Sequence, residues 1–298
     1  MNKELENLAK NNGDRLKVIS VKHLKELQEL LDNFSKEEEL NDFQKWILKD
    51  LYRFGLPEVD FDVKSVILIA IHHPFYAEVE FCKDGRKNQV LSLVRADFRA
   101  ADNYLADYMK LKGYSILAEY NLPIKRLAVH SGLAKYGRNN ITYIDGMGSN
   151  FSYAAYFTDM PCEEDTWGEV NNAKACEKCN ACIDECPTNA IRADRFLIDN
   201  QKCLSCLNEV PDEFPEWLPE SVHHTLYDCL ICQRICPMNA GQQKKILKGI
   251  SFNEEETNML LEGKPLDTFS EETQDKIRLL GMDEWYAAIP RNLSMVLR

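Results

Sequence analysis

Apolar and polar positions near the N-terminus alternate with a helical period. Val21, Leu24, Leu27, Leu30 and Leu31 recur with Lys and Glu between them, as on helices with one side turned to a core. Glu37 to Glu39 form a short acidic run, expected as a solvated helix face. Ser65-Val-Ile-Leu-Ile-Ala-Ile71 lacks polar alternation, the mark of a strand buried on both faces. It ends at His72-His73-Pro74, where proline stops simple continuation and the histidine pair reads as structural, with a ligand contact from the strand end as the alternative. From Leu91 to Lys112 the period predicts an amphipathic helix, with Leu91, Val94, Phe98, Ala101, Leu105 and Met109 on one side and Gly113 as its cap. Tyr114 to Tyr120 predicts a strand, and Pro123 to Arg138 a loop with a short helix. Ile141 to Ile144 and Phe151 to Phe157 predict two strands joined by the turn Asp145-Gly-Met-Gly-Ser149. Cys162 to Ala175 is polar and acidic, expected as a linker. Helical periodicity resumes near the C-terminus, with Ser270 as N-cap and Gly281 as the stop.

This order predicts a mixed α/β (α+β) N-terminal layer. The expected division is residues 1–165 as an α/β domain, 166–240 as a cysteine module and 241–298 as a helical extension.

The chain has 298 residues, enough for one large domain and a small one. No apolar run reaches transmembrane length, and the start Met-Asn-Lys-Glu-Leu-Glu is too acidic for a signal peptide. No membrane partner is expected. The net charge of −12 disfavours non-specific nucleic-acid binding, because the phosphate backbone rewards Lys and Arg; no DNA partner is expected. The eleven cysteines are mostly gathered in two runs, which points to a reducing cytoplasm rather than to disulfides.

The first run is Cys176-Glu-Lys-Cys179-Asn-Ala-Cys182-Ile-Asp-Glu-Cys186-Pro187, and the second is Cys229-Leu-Ile-Cys232-Gln-Arg-Ile-Cys236-Pro237, with Cys203 between them. Two-residue gaps let one tight loop wrap three corners of an iron–sulfur cubane. The cysteine before proline ligates the other cluster in two-cluster ferredoxins. That crossing-over gives one [4Fe-4S] cluster Cys176, Cys179, Cys182 and Cys236, and the other Cys186, Cys203, Cys229 and Cys232. Paired Cys-x-x-Cys units also bind zinc, but zinc does not call for the three-residue gap and closing proline, here present twice. Cys206 completes a third Cys-x-x-Cys and reads as a small buried hydrophobe, with a ligand as the alternative, and the isolated Cys82 and Cys162 read as buried hydrophobes. His223-His224 reads as a solvated loop, with tuning of a cluster sulfur as the alternative.

The order of His130-Ser-Gly-Leu-Ala-Lys-Tyr-Gly-Arg-Asn139, a glycine-bearing turn, the two cysteine–proline runs around a lone Cys203, Cys236-Pro-Met-Asn239 and a closing Arg291-Asn292 resembles the epoxyqueuosine reductase family. Lys64-Ser-Val-Ile67 matches that family's strand entry. The resemblance implies a nitroreductase-like α/β domain joined to a ferredoxin-like module, similar in its core to reductive dehalogenases. It implies cobalamin as a third cofactor, and a reaction in which electrons pass through both clusters to the corrinoid, which removes an epoxide oxygen from a modified tRNA nucleoside. On this pattern His130, Ser131, Gly132, Leu133, Gly137, Asn139, Gly148 and Ser149 face the corrinoid. The family's Gly-Trp-Ile-Gly-Lys-Asn is here Ala134-Lys-Tyr-Gly-Arg-Asn139. Its acidic proton donor corresponds to the stretch holding Glu119 and Tyr120, and either of these two is the expected donor.

Two function classes follow. One is an iron–sulfur, corrinoid-dependent reductase fed by a flavodoxin- or ferredoxin-like donor, acting on a small molecule or a tRNA nucleoside. The other is a two-cluster electron carrier that docks a redox partner through its acidic surface. A tRNA substrate calls for Lys125, Arg126, Lys135 and Arg138 in one positive groove. Lys244, Lys245 and Lys248 read as a solvated helix face, with a docking patch as the alternative.

Overall fold

The computed structural model describes residues 1–37, 39–74, 76–242 and 246–298. The chain runs α1 (Asn2–Asn11), β1 (Arg15–Ser20), α2 (Lys22–Glu37), α3 (Asp42–Trp46), β2 (Ser65–His72), β3 (Tyr76–Lys83), β4 (Arg86–Leu93), α4 (Arg99–Lys112), β5 (Ile116–Glu119), α5 (Ile124–His130), β6 (Lys135–Tyr136), β7 (Thr142–Tyr143) and β8 (Phe151–Thr158). It continues with α6 (Ala181–Asp184), α7 (Leu204–Glu209), α8 (Ile231–Arg234), β9 (Ile246–Phe252), α9 (Glu254–Leu261), α10 (Glu271–Leu279) and α11 (Ile289–Val296). These elements form two compact units. One holds Met1–His73 and Ala96–Cys179, the other Pro74–Arg95 and Asn180–Arg298.

The first unit is built on an antiparallel sheet of order β1-β2-β8-β5. β2 lies in its interior, and its seven residues from Ser65 to Ile71 are all buried. Leu5 and Ala9 of α1, and Leu105 and Met109 of α4, pack with Leu16, Val18, Ile67, Ile69 and Tyr156. Val66, Leu68 and Ala70, which alternate with that set, are equally buried, so both faces are covered. That is why the strand carries no polar alternation. α5 packs on β2 and β8, which brings the glycine loop after His130 to this sheet.

The second unit has a three-stranded sheet of order β4-β3-β9, with β9 parallel to β3. Asp84 and Gly85 join β3 to β4 with φ of 51° and 71°, the two positive angles of a type I′ turn. Ala77, Val79 and Phe81 face Ile250 and Phe252, and Leu260, Ile277, Leu280, Ile289 and Leu293 of the C-terminal helices close the core. Phe81 and Phe252 stack with ring centroids 4.9 Å apart.

Several expectations are corrected. Leu91 lies in β4 and Val94 in the core of the second unit, so α4 begins only at Arg99. Strand β7 pairs with β6, and β8 joins the main sheet instead of forming a hairpin with it. The C-terminal region is not helical throughout, since it opens with β9. β1 precedes α2 where helix alone was expected. Lys248 stands on β9, with its Nζ 3.0 Å from Glu78; Lys244, Lys245 and Glu38 lie outside the described residues. Ser270 caps α10 by accepting from the Thr273 amide, and Gly113 and Gly281 end their helices with φ of 76° and 65°, as expected.

Candidate functional site

The glycine loop starts where α5 ends. His130 and Ser131 are buried. The His130 Nδ1 lies 2.6 Å from the Gly168 carbonyl, which can only accept, so Nδ1 carries the proton and Nε2 keeps its lone pair. Burial lowers the pKa of this imidazole, against a weaker upward pull from the Gly168 carbonyl. Gly168 N donates back to the His130 carbonyl at 2.9 Å, and Thr166 Oγ1 donates to the Ser131 carbonyl at 2.9 Å. Gly132 follows with φ +74° and open space where a Cβ would stand. Leu133 is half-buried.

Farther along, Asn139 Nδ2 donates to the Tyr143 hydroxyl at 2.9 Å and its Oδ1 accepts from the Ile141 amide at 3.3 Å. A Cβ on Gly137 would meet the Tyr143 ring at 2.6 Å and Asn139 Oδ1 at 2.7 Å. Gly137 is thus required by the protein's own packing, not by the approach of a ligand. Gly148 N donates to Ile144 O at 2.9 Å, and Ser149 is buried. Tyr136 exchanges backbone bonds with Asn171 and Ala173 at 2.9 and 2.7 Å, and Arg138 Nη2 donates to the Cys176 carbonyl at 3.1 Å. The loop is in this way tied to the start of the first cysteine run.

The stretch from Cys162 to Ala175, expected as a linker, is bound down instead. Trp167 lies between two imidazoles, 4.2 Å from His23 and 4.8 Å from His130, nearly parallel to each at 10° and 16°. Trp167 Nε1 donates to Glu26 Oε1 at 3.0 Å. His23 meets Glu26 Oε2 at 2.8 Å and Asp165 Oδ2 at 2.9 Å. Lys22 lies 2.9 Å from the same Asp165 oxygen. Sequence reasoning missed Trp167, His23 and Asp165; the one large aromatic inside an acidic stretch was the available signal.

The two expected proton donors sit at the end of β5. Glu119 Oε1 accepts from the Tyr120 amide at 3.0 Å and the Asn121 amide at 2.8 Å, which folds the carboxylate over its own turn. Tyr120 is 84% exposed. The proposed positive groove is also not assembled from free cations. Lys135 pairs with Asp145 at 3.2 Å, Arg126 sits over the rings of Phe34 and Tyr136, and Arg138 is engaged at Cys176.

Cys176 and Cys179 fall in the first unit and the other six expected ligands in the second. Within the second unit the two runs fold alike at an offset of fifty residues. Ile183 N and Asp184 N donate to Asn180 O at 2.8 and 2.9 Å; Gln233 N and Arg234 N donate to Leu230 O at 3.1 and 2.9 Å. Cys186 and Cys236 each accept at their carbonyls from the residue three ahead, Asn189 and Asn239. Leu230, between Cys229 and Ile231, holds φ 63°. A bulky residue there costs of order 1–3 kcal/mol, and such strain concentrates where a loop is shaped for a ligand.

Among the described residues no three Cys, His, Asp or Glu side chains converge on a metal-ion site, but single thiols have surroundings suited to a bound thiolate. Ala190 N donates to Cys186 Sγ at 3.3 Å, the kind of contact that stabilises a metal-bound thiolate. Burial pushes the Cys229 thiol up to about 12, with Cys203 and Cys186 nearby adding to the rise. The Cys206 thiol and the nearby amides hold Cys203 at about 7, while Cys206 itself is pushed far up. Cys206, Cys82 and Cys162 are half-buried, and Cys162 Sγ donates to the Val18 carbonyl at 3.4 Å. His224 is not loosely solvated, since its ring nitrogens lie 2.8 Å from Val222 O and 2.7 Å from Cys229 O. It holds backbone rather than a cluster sulfur.

Residues 175–239 match the model of a 4Fe-4S double cluster binding domain. An epoxyqueuosine reductase from Leadbetterella byssophila is 35% identical over 114 residues, which is 38% of this chain and 36% of that protein. The match thus spans little more than a third of that relative's length. The structure of the Streptococcus thermophilus epoxyqueuosine reductase is similar over 100% of this chain and 81% of its own, with TM-score 0.64 at 17% identity. A crystal structure of an epoxyqueuosine reductase with an epoxyqueuosine-modified tRNA stem loop is similar over 99% of this chain and 80% of that one, with TM-score 0.60 at 20% identity. Among the described residues no helix is long and apolar enough to cross a membrane. In part of its sequence and in its fold, this chain is similar to epoxyqueuosine reductases.

Proposed function

We propose that the protein is a two-[4Fe-4S] reductase of the epoxyqueuosine reductase type, with a nitroreductase-like α/β part. The observation that carries the reading is the repeated cysteine–proline fold at residues 180–189 and 230–239, in which equivalent amides close equivalent turns. Cys176, Cys179, Cys182 and Cys236 would hold one cluster, and Cys186, Cys203, Cys229 and Cys232 the other. Amides and burial around the sulfurs set the potentials.

The loop from His130 to Asn139, with Gly148 and Ser149, is the proposed cobalamin-facing surface. It fits such a ring at Gly132, where the backbone is open, and at His130, which offers an unengaged acceptor. When bound, the corrinoid supplies a strongly reducing cobalt centre able to break a carbon–oxygen bond. The chain's part is to position the ring, exclude water and deliver a proton. Glu119 is the better candidate donor, because Tyr120 points its ring into solvent. In the position described, the Glu119 carboxylate accepts two amides, so donation requires its turn to rearrange. The substrate class is an epoxide of the queuosine-precursor type carried on tRNA, by likeness to the enzyme solved with a modified stem loop. The expected donor of electrons is a flavodoxin or a ferredoxin.

The test is made under argon on protein with reconstituted clusters. About eight irons per chain are expected, with a shift of added cobalamin to its base-off spectrum and loss of the epoxide from an epoxyqueuosine-modified stem loop. Full iron with no cobalamin binding overturns the enzyme and leaves an electron carrier.

A further inference from the structure

Trp167 is held on three sides by groups with no evident need of it. Its indole N–H is fixed by Glu26, and its ring stacks on both His23 and His130. His23 is itself fixed at both nitrogens by Glu26 and Asp165, and Asp165 is anchored by Lys22 and by the Ser20 amide at 3.4 Å. The network ends at His130, whose Nδ1–H is spent on the Gly168 carbonyl, one residue beyond the indole. A flat ring pinned at one nitrogen and covered on one face has little rotational freedom. Among the described residues the His130 Nε2 has no donor opposite it, and the residue is 7% exposed.

We propose that Trp167 and His23 are positioning residues that hold His130 as a neutral acceptor at Nε2, so that the site takes a ligand through an N–H or O–H donor such as a carboxamide. An anionic group finds no proton there to accept. Such a contact selects for the amide-bearing rim of a corrinoid, and it rests on the reading of the His130 loop as the surface that meets this ring. Three further groups enter the local field. Arg126 and the His23 ring favour the neutral imidazole, and Glu26 opposes them.

The experiment uses the full chain with its clusters, as wild type, Trp167→Ala, Trp167→Phe and His23→Leu. Long-range proton–nitrogen NMR reports the His130 tautomer without any added ligand, and cobalamin titration reports affinity. The wild type is expected to show a single Nδ1–H tautomer at neutral pH. Trp167→Ala should mix the tautomers and weaken cobalamin binding about tenfold, the scale of one neutral hydrogen bond, with iron content unchanged. Trp167→Phe, which restores a flat face, should recover most of both, and His23→Leu should fall between. A protonated or Nε2–H imidazole in the wild type overturns the proposal. So does a Trp167→Ala protein with unaltered tautomer and affinity. A tautomer that depends on Trp167 in a protein that binds no cobalamin upholds the positioning role and overturns the corrinoid as its ligand.

Discussion

Asn292 donates both of its amide hydrogens to backbone carbonyls, to Asn208 at 2.8 Å and to Leu226 at 2.7 Å. Arg291 beside it stacks on Phe214 at 3.7 Å and donates to the Leu207 carbonyl at 3.0 Å and to that of Asp212. The closing Arg-Asn pair is thus a clamp. It satisfies carbonyls in the last turn of α7 and just after it, and the Leu226 carbonyl shortly before Cys229. Asn292→Ala leaves the buried Leu226 carbonyl without this donor and the Asn208 carbonyl with Arg291 alone, at 3.4 Å. A loss of about 1–3 kcal/mol in urea unfolding is expected, with iron loading impaired.

Gly137→Ala brings a methyl group into the Tyr143 ring, which cannot yield without releasing Asn139. Overpacking of this kind costs about 1–3 kcal/mol. The melting temperature should fall, and Gly137→Ala combined with Tyr143→Leu should recover part of the loss. A melting temperature equal to wild type would contradict the packing account.

Cys206 is the ninth thiol of the cluster region, and eight ligands fill two cubanes. Cys206→Ala should keep about eight irons per chain, while Cys186→Ala and Cys203→Ala should each fall toward about four. Iron and sulfide analysis decides this. Loss of iron in Cys206→Ala would make that thiol a ligand.

His130 has a folded-state pKa below its unfolded value near 6.5. The unfolded chain therefore takes up the proton first. The stability contributed by the neutral ring is fully present above pH of about 6.5 and is lost as pH falls through the folded value. Urea midpoints measured from pH 8 down to pH 5 should drop more steeply for wild type than for His130→Asn. Parallel curves would remove His130 from the account.

The legible parts of this chain were those where local chemistry and final contacts agree. β2 was readable because its burial on two faces forbids polar residues anywhere along it. The cysteine runs were readable because cluster geometry dictates spacing directly. α4 was misread at its start because Leu91 and Val94 continue its period by coincidence, although they belong to the other unit. The signal that argued otherwise was Asp84-Gly85, a strong type I′ pair flanked by β-prone residues. Trp167 was missed for a different reason. Its partners His23 and His130 are far away in sequence, and no periodicity marks a side chain whose role is to lie between two others.

Strand β3 finds its second neighbour, β9, about 170 residues later in the chain. A ribosome adding about 5–20 residues per second needs roughly ten to thirty seconds to bridge that gap. Throughout that interval the nascent hairpin shows Ala77, Val79 and Phe81 with no Ile250 or Phe252 to cover them. The cluster cysteines emerge in the same window, after the hairpin and before its lid. Newly made protein therefore passes through a stage with an open apolar sheet and naked thiols together, and the yield of intact protein should depend on how fast iron and sulfide are supplied while synthesis is still under way.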